Sequence, residues 1–383
     1  PWTLPSHASM FTGLYPSRHR AGVSADVLAR SHLTLAEVFK RAGYRTAGFA
    51  GGSMASSRFG LAQGFDVFVD PRKNEEPGNV IAEAAIEFVE NHAEDPLFAF
   101  LNFFDPHGQY SAPIEFQRQL KVPELAEPIQ DAPVWGAYAR DDRGAWNTVV
   151  NGEAPEDEAG LAYMRARYDA EVAFMDFQLG RFFAALREHE LFDRSLIVVV
   201  ADHGEFMGER GLFSHSYRLD PELTWVPLLI KWPKQSRAEA VDAPVSHVDL
   251  FPTILAVAGL EAPPTDGVEF GPSAFSVLEG RDRIFMEEHK SRFHQLPGPF
   301  WIADHLAGLQ RMRTREVYFG GQVVCSERPD DRWLPSRCEV TWEDGLRALP
   351  DWLQASMMSE VDVSTGDLDS AEIDQLKALG YLQ

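Results

Sequence analysis

The chain has 383 residues, 45% hydrophobic and 24% charged, enough apolar material for one large core or for a large domain with a smaller one. Its formal net charge of -23 excludes nucleic acid and anionic membrane surfaces as natural partners, since both are bound by basic faces. No apolar run is long enough to span a bilayer, so no transmembrane segment is expected.

Residues 3–13, TLPSHASMFTG, read as a short helix with Pro in its first turn and Gly just past its end. Thr3 then stands at or near the helix N-terminus, where free N–H groups and the helix dipole favour an anion. A hydroxyl so placed can attack a phosphorus or sulfur centre. It can equally be an ordinary N-cap, and the segment itself leaves both roles open.

Helix and strand patterns then alternate. Residues 34–42 read as a capped helix ending at Gly43, and residues 44–50 as a short strand. Residues 79–92 have helical spacing, with Val80, Ala84, Phe88 and Val89 on one side. The apolar run 96–104 predicts a strand covered on both faces, and it stops at Asp105-Pro106-His107-Gly108. Residues 111–158, with several Pro residues, Trp135 and Trp146, read as an irregular insertion. A long helix is predicted over 161–189, with Leu161, Met164, Tyr168, Val172, Met175, Leu179, Phe182 and Leu186 as its core stripe.

Residues 195–201 read as the clearest buried strand, ending at Asp202-His203-Gly204. A further strand is predicted over 225–231 and a helix over 249–258. Strands alternating with helices imply an α/β fold with a mostly parallel central sheet and helices on both faces. Beyond residue 290 the pattern weakens, and pieces such as 315–319 suggest a small antiparallel addition. The expected division is a catalytic domain over 1–290 and a small subdomain over 291–383, closed by a helix over 370–382. Cys325 and Cys338 form a disulfide or remain two thiols; the sequence leaves both open.

Ligands of open parallel sheets bind beyond the carboxyl ends of the strands. Two strands here end in a carboxylate close to an imidazole, at Asp105 and His107 and at Asp202 and His203. Such groups can ligate a divalent metal. Gly204 would let the chain turn away sharply. The loop after Asp202 also carries Glu205, Glu209, His215 and Asp220. His215 is a candidate general acid or anion-binding group, whereas Glu209 and Asp220 read as solvated loop charges.

Six segments in order resemble the sulfatase family of the alkaline phosphatase superfamily: 3–22, 103–110, 167–186, 196–215, 248–267 and 376–382. The resemblance implies an alkaline-phosphatase-like α/β fold. Thr3 falls at the nucleophile position, His7 where sulfatases have a supporting Arg, and His107 on a residue contacting the transferred group. Asp202 and His203 fall on metal ligands, together with the nucleophile Thr3, and His215 falls on a residue near the leaving group.

Two departures matter. Sulfatases oxidise a Cys or Ser to formylglycine within Cys/Ser-x-Pro-x-Arg, whereas this frame reads Thr3-Leu4-Pro5-Ser6-His7. Threonine carries a methyl on Cβ and cannot yield that aldehyde, so no formylglycine is expected. An unmodified Thr activated by metal is what phosphoryl-transferring relatives use. The resemblance also places two Asp ligands on a strand upstream of the nucleophile motif. The chain begins at Pro1 without that strand, so a truncated N-terminus is expected. A signal peptide and the compartment therefore stay open.

The expected cofactor is a divalent metal, with Mn²⁺ or Zn²⁺ favoured by the imidazole and Ca²⁺ still compatible. The leading expectation is a hydrolase or transferase acting on phosphate mono- or diesters. A sulfuric ester hydrolase that tolerates Thr3 and an inactive homologue binding anions or sulfated glycans are the alternatives. The substrate would be a small-molecule, glycan or lipid ester.

Overall fold

The computed structural model describes residues 2–22, 27–72, 76–108, 110–123, 158–209, 212–216, 219–236, 238, 240–241 and 245–271, and the backbone of five strands between 283 and 341. Helix α1 (Thr3–Thr12) is buried at every position, which sets it inside the molecule and not on its surface. Its N-cap is Trp2, which makes no side-chain cap, so Thr3 is the first helical residue and not the cap. Gly13 ends the helix in the left-handed region at φ 68°, its N–H bonded to Ser9 O. A short helix, α2 (Pro16–His19), follows.

In α3 (Leu35–Arg41) the capping is reciprocal. Thr34 Oγ1 accepts the Glu37 N–H at 3.2 Å, and the Glu37 carboxylate accepts the Thr34 N–H at 3.0 Å. Strands β1 (Arg45–Ala50) and β2 (Val67–Val69), helix α4 (Gly78–His92) and strand β3 (Leu97–Asn102) complete the first half. The sheet order is β2-β1-β3, all parallel, as the alternating pattern predicts. In α4 the buried stripe is Ile81, Ala82, Ala85, Phe88 and Val89; Val80 and Ala84, expected on it, sit one position off and are only partly buried.

The insertion contains helix α5 (Ile114–Gln119), and residues 124–157 lie outside the described residues. Helix α6 (Glu158–Glu188) is the long helix expected. Beyond it lie β4 (Ile197–Val200), β5 (Phe206–Met207), β6 (Phe213–Ser214), α7 (Pro221–Thr224), β7 (Leu228–Lys231) and α8 (His247–Val257). Strands β4 and β7 pair antiparallel, and β5 pairs with β6 as a small hairpin. The last strands are β8 (Arg283–His289), β9 (His305–Arg311), β10 (Arg315–Phe319), β11 (Gln322–Ser326) and β12 (Ser336–Thr341). They form one antiparallel sheet in the order β12-β11-β10-β9-β8, whose first strand begins before residue 291. The side chains of Cys325 and Cys338 and the helix expected over 370–382 lie outside the described residues.

Helices cover both faces of the parallel sheet. On one side Leu4, Ala8, Phe11, Met54 and Phe59 form a core that Leu250 of α8 joins; on the other, Phe49 packs with Ile81 and Phe88 of α4 and Phe182 and Leu186 of α6. Each fully buried Leu or Phe contributes about 1.5–3 kcal/mol relative to exposure. The C-terminal end of α1 is held from a distant segment. Gly13 O accepts from Thr265 Oγ1 and, at 2.9 Å, from the Asp266 N–H, while the Asp266 carboxylate takes the Tyr15 N–H and the Arg18 guanidinium.

Strands β3 and β4 differ from expectation: both are only partly buried, not covered throughout. Among the described residues they belong to separate sheets. Between them lies a cavity of about 810 Å³ lined by residues 96–107 and 194–205, and closed by α1, α6 and α8. The predicted stripe of α6 faces this cavity through Tyr168, Val172, Met175 and Leu179. The most buried face of α6 is a different one, which includes Arg167, Glu171, Phe174 and Gln178.

Candidate active site

The site forms where the N-terminus of α1 meets the end of β4. At that end of α1, Pro5 has no N–H and the Ser6 N–H goes to Trp2 O at 3.2 Å. The Thr3 and Leu4 amides therefore lead the helix, with the positive end of its dipole. Thr3 Oγ1 stands 3.5 Å from His203 Nε2. His203 Nδ1–H donates to Gly204 O at 2.9 Å, which fixes the tautomer and turns the Nε2 lone pair towards Thr3 and Asp202. Asp202 Oδ2 is 3.6 Å from that nitrogen.

Backbone contacts hold the pair in place. His247, the first residue of α8, donates its Nε2–H to Ala201 O at 3.0 Å. The Gly204 N–H bonds Leu223 O at 2.9 Å. Gly204 is required by close approach and not by a special turn: a Cβ there would stand 1.9 Å from Glu222 O. His7 is one helical turn after Thr3. Its Nδ1–H donates to Thr3 O at 2.8 Å and also faces Asp202 Oδ2 at 3.5 Å.

The remaining histidines form a chain of rings. His215 stacks on His203 with centroids 3.9 Å apart and meets His107 edge-on at 5.2 Å. His215 Nδ1 pairs with Glu205 Oε1 at 3.1 Å, and both are buried. Ser214 and Ser216 flank His215 with φ of 66° and 78°, so two non-glycine residues in the left-handed region aim this ring. His107 Nδ1–H donates to Gly108 O at 2.9 Å, and its ring stacks on Phe104.

The electrostatics divide these groups. Burial pushes the Asp202 carboxyl up, but His203 and His7 outweigh it and hold it down at about 2. Burial lowers His203 to about 4 against the pull of Asp202. Near neutral pH Asp202 is thus ionised and His203 neutral, the protonation states a metal ligand needs. Burial and His107 hold His215 well below its usual value, and burial lowers His247 to about 4. Burial raises Glu205 to about 7, against His107 and His203.

The donor chemistry fits a divalent cation in part. Two ligands each about 2.0–2.2 Å from one ion lie roughly 3–3.5 Å apart, close to the spacing of Thr3 Oγ1, His203 Nε2 and Asp202 Oδ2. Among the described residues no cluster of three or more His, Cys, Asp or Glu completes a metal site.

The sulfatase family profile matches residues 1–260. The chain belongs to the sulfatase family. This sulfatase-family chain is 29% identical over 234 residues to the uncharacterized sulfatase YidJ of Escherichia coli (strain K12), an alignment covering 58% of the chain and 45% of YidJ. It is 26% identical over 329 residues to the multifunctional alkaline phosphatase superfamily protein PehA of Trinickia caryophylli, covering 68% and 64%. It therefore spans about half to two thirds of these curated relatives. Among solved structures, the phosphonate monoester hydrolase of Agrobacterium radiobacter superposes with a TM-score of 0.66 at 20% identity, covering 85% of this chain and 80% of that one. SpPMH, the phosphonate monoester hydrolase from Silicibacter pomeroyi, gives 0.64 at 22%, covering 85% and 79%. These likenesses establish the alkaline-phosphatase-like α/β fold.

Within the sulfatase-family chain, Thr3, His7, Asp202 and His203 come together as one cluster, and His107 and His215 join it through the His203 ring. Glu209 and Asp220 are not free loop charges. Asp220 is buried, and Glu209 accepts from the Met207 N–H and the Arg165 guanidinium. Sequence reasoning missed His247 because it started the last helix two residues late. The Ser246-x-x-Asp249 pattern is the signal that marks the true start, with Asp249 accepting the Ser246 N–H at 2.7 Å. It also assigned no role to Glu205, whose importance comes only from its contact with His215.

Proposed function

We propose that this chain is a metal-dependent hydrolase or transferase of phosphate mono- or diesters, with Thr3 as an unmodified nucleophile. The observation that carries this reading is the Thr3 hydroxyl beside His203 and Asp202 at the head of a buried helix. Proteins of the sulfatase and alkaline-phosphatase type generally use a divalent metal. The residues that would hold it are Asp202 through Oδ2 and His203 through Nε2, with the Thr3 hydroxyl alongside. The imidazole ligand favours Mn²⁺ or Zn²⁺ over Ca²⁺. A bound cation supplies Lewis acidity and makes a hydroxyl a competent nucleophile near neutral pH.

In this reading the Thr3 hydroxyl releases its proton to solvent as Oγ1 forms a bond to phosphorus, and the bond to the leaving alcohol breaks with the departing oxygen taking up a proton from water. The amides at the head of α1 and His107 face the oxygens of the transferred group. His7 keeps Thr3 and Asp202 in register through its Nδ1. His215, oriented by Glu205, assists the departing oxygen. Water then cleaves the ester on Thr3 and restores the hydroxyl.

A second reading, sulfate ester hydrolysis, is favoured by the family itself and by a structural neighbour, BT4656, solved with D-glucosamine-2-N,6-O-disulfate and superposing with a TM-score of 0.62 at 19% identity. The test compares turnover of an aryl phosphate monoester, a phosphodiester and an aryl sulfate with Mn²⁺ or Zn²⁺ added, beside Thr3→Ala. Phosphoester turnover that needs Thr3 is the expected result. Turnover unchanged in Thr3→Ala overturns the nucleophile, and cleavage of only the sulfate overturns the phosphoryl preference. Metal binding without any turnover favours an inactive, anion- or glycan-binding homologue.

A further inference from the structure

His215 stands at the end of a hairpin that is itself docked on α6. The last ladder pair of β5 and β6 is Phe206 with Ser214, so Glu205 and His215 are the next residues out in register, and their side chains meet at 3.1 Å. At the other end the chain turns: the Gly208 N–H bonds Leu212 O at 2.9 Å, and the Leu212 N–H bonds Glu209 O at 2.9 Å. Phe206 and Leu212 pack with Leu223 as a small core of their own.

The turn faces the start of α6. Gly208 lies against Leu161, since a Cβ there would stand 2.9 Å from Leu161 Cδ2. One helical turn after Leu161, Arg165 donates to Met207 O from Nε at 3.1 Å and from Nη2 at 2.9 Å. Its Nη2 also reaches Glu209 Oε1 at 3.3 Å, and Glu209 Oε2 accepts the Met207 N–H at 2.6 Å. One ion pair thus holds both main-chain groups of Met207. The same residue is touched from the His107 loop, where Tyr110 donates its hydroxyl to Met207 Sγ at 3.3 Å.

We propose that Arg165 is a positioning residue: with Glu209 it clamps the β5–β6 hairpin onto α6, and so sets where His215 stands against His203 and the departing oxygen. This rests on the reading of His215 as the group that assists that oxygen. The clamp adds little to folding, because the Arg165 side chain is 50% exposed and that of Glu209 34%, and ion pairs so open to water are weak. Its strength is geometric. The guanidinium is a planar fork, and two of its nitrogens on one carbonyl oxygen fix the direction of the hairpin as well as its distance. The hairpin needs such a hold. Its strands have two residues each, and His215 follows between two non-glycine residues in the left-handed region, yet its ring stacks on His203 at 3.9 Å. A shift of about 1 Å in such a group costs far more in rate than in stability.

The test combines Arg165→Ala, His215→Ala and the double variant, with Mn²⁺ or Zn²⁺ and two aryl phosphates. Phenol is the poorer leaving group and needs the help of His215; para-nitrophenol needs little. Arg165→Ala is expected to lower kcat/KM for phenyl phosphate by about tenfold and for para-nitrophenyl phosphate by less than about threefold, with Tm within about 3 °C of wild type. In the His215→Ala background the same substitution should change neither rate by more than about twofold. Equal losses on the two esters, or a loss that persists without His215, overturn the positioning role. A second readout needs no turnover. In protein labelled with ¹³C-histidine, the Cε1–H signal missing from His215→Ala belongs to His215, and it should move in Arg165→Ala as the stack on His203 shifts. An unmoved signal overturns the clamp. If wild type cleaves neither ester, the phosphoester reading fails, while the His215 signal still decides whether Arg165 places the ring.

Discussion

Half of the candidate site is mounted on regular structure and half on loops. Thr3 heads α1, and Asp202 and His203 follow directly on β4, with α8 holding Ala201 O through His247. His107 and His215 stand on loops: His215 is paired with Glu205, and His107 bonds Gly108 O through Nδ1–H and stacks on Phe104. The contrast shows two ways of fixing a side chain. A helix end or strand end fixes it through main-chain hydrogen bonds. A loop side chain leans on other side chains, the Glu205 carboxylate for His215 and the Phe104 ring for His107.

The sharpest test of the regular half is Thr3→Ala, which is expected to lower kcat by about 10³-fold or more, roughly 4 kcal/mol, with little change in Tm. Thr3→Ala turnover close to wild type would remove the reason for treating this half as the reacting one. The pH dependence of stability comes next. His203 and His247 are lowered to about 4 from 6.5, so the unfolded chain binds protons first as pH falls. From these two groups metal-free protein should thus lose about 5 kcal/mol of stability between pH 6.5 and 4, measured by urea unfolding. Glu171 and Glu205, both raised by burial, act with the opposite sign above 4.5, so the measurement belongs in a background carrying both Glu171→Gln and Glu205→Gln. A rise in stability on acidification there contradicts the burial of two neutral imidazoles.

Metal binding sharpens the comparison further. Asp202→Asn or His203→Ala should weaken Mn²⁺ or Zn²⁺ binding by about 100-fold in calorimetry, whereas His107→Ala should leave it within a few-fold. Equal losses would mean that the loop half also ligates. The smallest effect is expected for Glu205→Gln. It keeps a group beside His215 Nδ1 and should lower kcat/KM by about tenfold, without changing metal content. If metal content falls instead, Glu205 belongs with the ligands.

Much of this was legible beforehand. Thr3, Asp202 and His203 announce themselves because each stands at the end of a segment whose periodicity is clear, and α/β chemistry collects at such ends. The Thr34-x-x-Glu37 cap and Gly13 are likewise local signals, and each does in the fold what its local sequence demands. The covered strands read from 96–104 and 195–201 came out half open, because an apolar run reports what a strand can pack against and not what stands beside it. Helix α6 shows the same limit. Its apolar stripe predicts the face turned to the cavity, while the face that buries Arg167 and Glu171 follows no apolar period.

What the sequence by itself determined is therefore the alternation of helices and strands, the family frame and the residues at the strand ends, all of which rest on local periodicity and spacing. What only the tertiary structure decided is pairing at a distance. Glu205 with His215, Glu171 with Ser111, and His247 with Ala201 join residues 10 to 60 positions apart. Burial then shifts protonation in ways that no single segment contains, because desolvation and the nearest charge are properties of the folded neighbourhood and not of the residue.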